Sequence, residues 1–365
     1  MRTSNVIALA SLLLASSAAY GCGGSDVAPA DPGAFEDGGS PLSDSGSPDT
    51  SRADAASGDG ASGDGASSDG ASGDGGLGDP SADGPFAIAE KDATAKIAST
   101  TDSVAIHVAY PTAAGSFPVI VIAHGFQLPP TQYYGYVKRL ATFGYVALTV
   151  DFPTSLAGND NPRQAKDLIG AVDWVKGDAT VGAKADATKV GMSGHSLGGK
   201  LALLAATLDP RVKAAFVLDP VDSGGPGGCN APTCVVVKDL MPTLTVPTGI
   251  LGETTDAVGG FSSCAPAADN FTTFYAQAKT PSLQVTALGA NHMSFLDDVT
   301  KCGFTCGFCN ASTAPNAQVA GMARALMVAF YERHLRGNAA YDTYLTGADA
   351  AARYVTTSQA SIVSK

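Results

Sequence analysis

The stretch KVGMSGHSLGGKLALLAA, Lys189 to Ala206, decides the fold. Lys189-Val190-Gly191-Met192 is strand-like, and Lys200 to Ala206 is helix-forming. Between them Gly194-His195-Ser196-Leu197-Gly198-Gly199 reads G-x-S-x-G. A strand, a sharp turn and a helix lift a serine hydroxyl above the end of a parallel sheet. The turn is strained, and glycines on either side spare it a Cβ clash. Ser196 is therefore the candidate nucleophile; the competing reading is a glycine-rich turn that binds phosphate or nothing.

The pattern on either side alternates strand and helix. Strands are expected at Val104–Tyr110, Pro118–Ala123, Tyr145–Val150, Ala214–Leu218, Thr248–Gly252 and, last in the chain, Leu283–Leu288. Helices are expected at 132–142, 163–176, 269–278 and 316–335. Pro118–Ala123 is a continuous apolar run, as in a strand buried on both faces. The fold class is α/β, a mostly parallel sheet covered by helices on both faces, in one domain over residues 85–365. Ligand chemistry in such sheets sits at the carboxyl ends of the strands.

A serine hydroxyl needs a base, and the base needs an orienting carboxylate. Two histidines follow Ser196. His334 lies among charges in the final helix and is expected on a solvated surface. His292 follows the strand at 283–288 in a loop of small neighbours and is the expected base. Asp219 and Asp256 each follow a strand and both qualify as the acid; Asp222 and Glu253 are weaker candidates. The acid left over is expected to start a turn or face solvent. The oxyanion hole requires two backbone N–H groups. Leu197 N–H is one, and Phe126 N–H, in the loop after Ala123, is the other. His124 precedes the serine and is expected to hold that loop. The chemistry requires neither cofactor nor metal.

These pieces resemble the chlorophyllases, a branch of the α/β-hydrolase superfamily related to polyester and lipid esterases. The resemblance runs from about Phe117 to the final helix. It rests on His124-Gly125-Phe126 with Tyr133-Tyr134, Phe143-Gly144-Tyr145-Val146, Gly194-His195-Ser196 with Gly198-Gly199-Lys200, and Asp219-Pro220-Val221-Asp222. Cys264-Ala265-Pro266 with Phe274-Tyr275, and His292-Met293 with Leu296-Asp297-Asp298, complete it. It implies the α/β-hydrolase fold, hydrolysis of a carboxylic ester, and Asp219 as the acid. The chain departs from the plant members at Leu197, where they usually carry Arg, and in the cysteine-rich insert after Asp298.

Residues 1–22 have the form of an export signal, with Arg2 ahead of an apolar stretch, Val6 to Ala15, too short to span a bilayer. Cys22 resembles the lipid-acceptor cysteine of a bacterial lipoprotein, with Ala19 where Leu is usual; plain cleavage near Ala18 or Ala19 is the alternative. Residues 23–84 are Gly, Ser, Ala, Asp and Pro, with a five-residue repeat starting at Gly58. Such a stretch cannot bury enough surface to fold and reads as a tether with a reach of about 45 Å. It holds 13 acidic residues against one basic, so it carries the charge of −12, while residues 85–365 hold 21 against 20. No basic surface for nucleic acid is indicated. The expected partner is an ester substrate, with membrane contact only through a lipid at Cys22.

Six further cysteines, Cys229, Cys234, Cys264, Cys302, Cys306 and Cys309, suit disulfides in an exported chain. Cys229–Cys234 is a natural local bridge, and Cys264 can reach the cluster near 302, but fifteen pairings are open. Cys302-x3-Cys306-x2-Cys309 also has the spacing of an iron–sulfur cradle or metal knuckle, which its late position in an oxidising setting argues against. The remaining alternatives are a non-catalytic binding protein on a hydrolase scaffold and acyl transfer or amide cleavage by the same residues.

Overall fold

A computed structural model describes residues 78–97, 103–223, 229, 232–258 and 263–365. The export segment 1–22, Cys22 and most of the acidic stretch lie outside the described residues. Residues 78–84, counted above with that stretch, lie against the domain. Asp79 pairs with Arg353 at 2.8 Å, and Gly84 N–H donates to Thr142 Oγ1 at 2.9 Å.

Nine strands form one sheet: β1 (Ile88–Lys96), β2 (Ser103–Pro111), β3 (Phe117–Ala123), β4 (Val146–Val150), β5 (Ala185–His195), β6 (Val212–Leu218), β7 (Thr248–Glu253), β8 (Ser282–Ala287) and β9 (Ala360–Ser364). Their spatial order is β1-β2-β4-β3-β5-β6-β7-β8-β9. The run from β4 to β8 is parallel, and β1, β2 and β9 are antiparallel additions at the edges. Two strands go beyond the sequence reading. The last strand is β9, not the one at 283–288. β1 reads IAEKDATAK, with three consecutive charges, Glu90-Lys91-Asp92, in its first half, and β9 is short and half exposed. Edge strands pack one face only, so neither shows the continuous apolar run that marks a central strand.

Each central strand feeds two cores. In β3, Val119, Val121 and Ala123 pack with Val190 and Met192 of β5 against helices α2 (Asn161–Gly177) and α3 (Leu197–Leu208). The alternate residues Ile120 and Ile122 pack with α1 (Tyr134–Thr142) and α5 (Asn316–His334). The period-two alternation of strand side chains thus assigns each helix pair a face. Each fully buried Val, Leu or Ile contributes about 1.5–3 kcal/mol, so this double layer fixes the position of the strand ends. A fifth helix, α4 (Phe271–Gln277), starts at Asn270, whose side chain accepts from Thr272 N–H at 3.1 Å. Among the described residues no helix is long and apolar enough to cross a membrane.

Candidate active site

Ser196 stands alone between β5 and α3 with φ 57° and ψ −123°. Its N–H donates to Leu218 O at 3.0 Å, and its carbonyl accepts Lys200 N–H at 3.1 Å. The turn closes because Gly194 and Gly198 meet. A Cβ on Gly194 would lie 2.4 Å from the Gly198 carbonyl, and one on Gly198 would lie 2.3 Å from Ala123 O. Ser196 is half-buried between buried His195 and Leu197. No side chain caps α3. Its first N–H groups, Leu197 included, have no partner within the helix and mark a positive dipole end beside the serine.

One strand over, Asp219 follows β6 with φ 39°, its N–H bonded to Leu251 O at 2.6 Å. Its Oδ2 lies 2.6 Å from His292 Nδ1, and both residues are buried. Nδ1–H therefore donates to the carboxylate, and the neutral ring keeps its free lone pair on Nε2. Burial opposes charge on His292, yet the bond to Asp219 and its attraction, with Asp256 and Glu253 nearby, hold the imidazole above its usual pKa. Burial raises the Asp219 carboxyl against the pull of the same bond.

Asp256 corrects one expectation. It neither starts an exposed turn nor faces solvent; it is wholly buried. One oxygen accepts His292 N–H and the other Asn310 N–H, each at 2.7 Å. It thereby holds the backbone of the histidine loop, while Asp219 holds the ring. Cys264–Cys309 closes the same region, and the other bridges are Cys229–Cys234 and Cys302–Cys306. The Cys302, Cys306, Cys309 triplet is thus divided between two disulfides. Asp256, Cys264 and Cys309 bring ligand-type atoms together, but the two sulfurs are bonded to each other. Glu253 is buried too, accepting Asp256 N–H at 2.9 Å; burial, then repulsion from Asp219, raises its pKa to about 7. Asp222 forms a wholly buried pair with Lys200 at 3.1 Å.

The loop after β3 brings His124, Gly125 and Phe126 to the elbow. A Cβ on Gly125 would sit 3.4 Å from Ser196 Cβ. His124 is buried, with ring nitrogens 2.8 Å from Gly125 O and 3.1 Å from Phe152 O, stacked on Phe152 at 4.0 Å. It ties the loop to the segment after β4. Gln127 adopts φ 55°, its Nε2 donating to Thr154 O at 3.0 Å. His334 differs from expectation. It is half-buried, 4.5 Å from the Phe330 ring, and burial with neighbouring Arg333 lowers its pKa to about 4. Helix α5 buries residues on nearly all sides, so its charges do not mark a solvated face.

The chlorophyllase profile matches residues 81–355, most of the chain. The chain belongs to the chlorophyllase family. Its fold is that of the α/β hydrolases. It is 28% identical over 210 residues to chlorophyllase-2 of Arabidopsis thaliana, covering 53% of this chain and 65% of that protein. It is 31% identical over 158 residues to bis(hydroxyethyl) terephthalate hydrolase of Streptomyces coelicolor, covering 43% and 50%. Cutinase est1 of Thermobifida alba is 28% identical over 182 residues, covering 49% and 55%. The matched regions thus span about half to two thirds of these relatives. Some of the residues that carried the family resemblance tie separate segments of the fold together. Asp297 accepts Gly135 N–H at 2.6 Å and pairs with Arg324 of α5 at 2.7 Å. Sequence reasoning missed the roles of Asp256, Asp297 and Lys200, which depend on contacts distant along the chain.

Proposed function

We propose that this chlorophyllase-family chain is a serine hydrolase of carboxylic esters. Ser196 Oγ attacks the carbonyl carbon as its proton passes to His292 Nε2, and Asp219 holds the imidazolium formed. Phe126 and Leu197 N–H groups receive the oxyanion. On collapse the carbon–alkoxy bond breaks, and the alcohol leaves with the proton from His292. Water, deprotonated by the same ring, then releases the acid and restores Ser196. The observation that carries this reading is the buried 2.6 Å Asp219–His292 contact, which leaves Nε2 free to act as base, together with a serine at positive φ in the turn between β5 and α3. The named relatives agree with ester cleavage as the class of reaction. The disulfides fit an oxidising compartment, and we extend the proposal to an exported protein carried on the acidic tether, through a lipid on Cys22 or free.

Turnover of p-nitrophenyl esters of increasing acyl length by the oxidised protein and its Ser196→Ala variant tests the reading. Activity lost in the variant is the expected result, and the chain-length profile sizes the pocket. Folded wild type without turnover of any ester would favour the binding-scaffold alternative.

A further inference from the structure

His195, the variable residue before the nucleophile in G-x-S-x-G, is wholly buried, and both its ring nitrogens are engaged. Nε2 lies 2.8 Å from the main-chain carbonyl of His292, and Nδ1 lies 2.9 Å from Tyr133 Oη. Tyr133, also wholly buried, takes Gly125 N–H on the same oxygen at 3.1 Å. The proton order follows from the two ends. A carbonyl can only accept, so the ring hydrogen is on Nε2. The tyrosine oxygen accepts from Gly125, so its one hydrogen goes to the unprotonated Nδ1. The chain is Gly125 N–H to Tyr133, Tyr133 O–H to His195, and His195 N–H to His292. Every member is satisfied with His195 neutral. Burial, then the neighbouring His292, holds its pKa well below the ordinary value.

Three separate segments meet in this relay: the oxyanion loop at Gly125, the nucleophile turn at His195 and the base loop at His292. Gly125 comes so close that a Cβ there would stand 3.2 Å from His195 Nδ1, and the His195 and His292 rings lie 4.6 Å apart. We infer that Tyr133 and His195 are positioning residues that set the spacing between oxyanion donor, nucleophile and base, acting through Gly125 and His292 rather than on the substrate. The inference rests on the serine-hydrolase reading. Tyr133 is shut off from solvent, so its hydroxyl contributes geometry and no substrate contact.

The test uses the full oxidised chain with a p-nitrophenyl ester. Tyr133→Phe removes one oxygen and keeps the ring packing. Loss of both buried hydrogen bonds of that oxygen predicts about a ten- to hundredfold drop in kcat, on the order of 2 kcal/mol, with KM within about twofold. In a His195→Ala background, where the link from Tyr133 to the base loop is already cut and only the Gly125 bond remains to be lost, Tyr133→Phe should have a clearly smaller effect on kcat than in wild type. His195→Asn, which offers Tyr133 an acceptor near the Nδ1 position, should recover part of the alanine loss. Rates are expressed per site titrated with a serine-directed phosphonate, so misfolded protein does not enter kcat. Wild-type kcat in Tyr133→Phe, or losses that multiply independently in the double variant, would overturn the inference. Ser196→Ala run alongside separates the two levels. If it is inactive while Tyr133→Phe turns over normally, only the positioning role fails. If it stays active, the hydrolase reading fails and the relay's role falls with it.

Discussion

Replacing Asp219 by Asn is the sharpest test of how the site divides its work between two buried aspartates. The ring contact is 2.6 Å and buried, so in the proposed mechanism the carboxylate faces an imidazolium formed during the reaction. Unit charges about 4 Å apart in an effective dielectric of roughly 20 attract by about 4 kcal/mol, about a thousandfold in rate. The amide adds a second loss when its NH2 faces Nδ1. The ring proton then moves to Nε2 and the base disappears. Asp219→Asn should therefore lower kcat by about a thousandfold or more, with a smaller change in KM. Asp256→Asn keeps one acceptor for the loop and leaves the ring's partner intact, so it should cost about ten- to a hundredfold. The pH profile supplies an independent reading. The proposed mechanism needs neutral His292, whose pKa lies above its ordinary 6.5, so the acid limb of kcat/KM should fall above that pH. Without Asp219, burial dominates and the limb of any residual activity moves to lower pH. Stopped assays with p-nitrophenyl esters from pH 5 to 9 would measure both. An Asp219→Asn enzyme within tenfold of wild type beside a dead Asp256→Asn would refute the assignment.

Other outcomes follow from the surrounding locks. Glu253 binds its proton with a pKa of about 7 against an ordinary 4.5, so the stability this gives is full below the lower value and lost as pH rises through the higher. Glu253→Gln should hence gain on wild type by up to about 3 kcal/mol between pH 4.5 and 8, read by urea melts; a pH-independent difference would count against the shift. Lys200→Met strands the buried Asp222 carboxylate and should cost about 3–5 kcal/mol, which Asp222→Asn in the same chain should partly restore; two additive losses in denaturant melts would deny the coupling. Removing the Cys264–Cys309 bridge, which spans 45 residues, should cost about 4 kcal/mol and lower kcat through the Asn310–Asp256–His292 contacts. Unchanged kcat in the folded double-serine variant would show that the hydrogen bonds alone fix that loop.

The central layers were legible because they are redundant in sequence. The β3 run is apolar on both faces, and the turn at Ser196 carries strand, glycines and helix together. Ser196, Asp219 and His292 each follow a strand, which made them candidates by position alone. The choice between Asp219 and Asp256 was not legible from position, since both follow neighbouring strands. It depends on which loop turns a carboxylate toward Nδ1, a matter of side-chain direction at φ 39°. Asp256, as the acid left over, was expected at a turn or in solvent because local sequence does not report burial, and for the same reason it gave no sign of the Lys200–Asp222 pair. The same gap hid β1 and β9, whose partners supply the second face.

The unusual features converge on one end of the sheet. Ser196, Asp219 and Gln127 have positive φ, and Asp219, Glu253 and Asp256 are three carboxylates buried together. Each is unfavourable alone: non-glycine residues at positive φ are uncommon, and clustered buried acids repel. They persist because neighbouring packing over-determines them. Asp256 has a backbone N–H for each oxygen, Glu253 takes up a proton near neutrality, and Asp219 has the imidazole. The result is a local field that favours positive charge on His292, as the proposed attack by Ser196 requires. Relaxing Glu253 or the disulfide should therefore alter stability and turnover in separable amounts, as expected where strain is concentrated at a reacting centre rather than spread through the core.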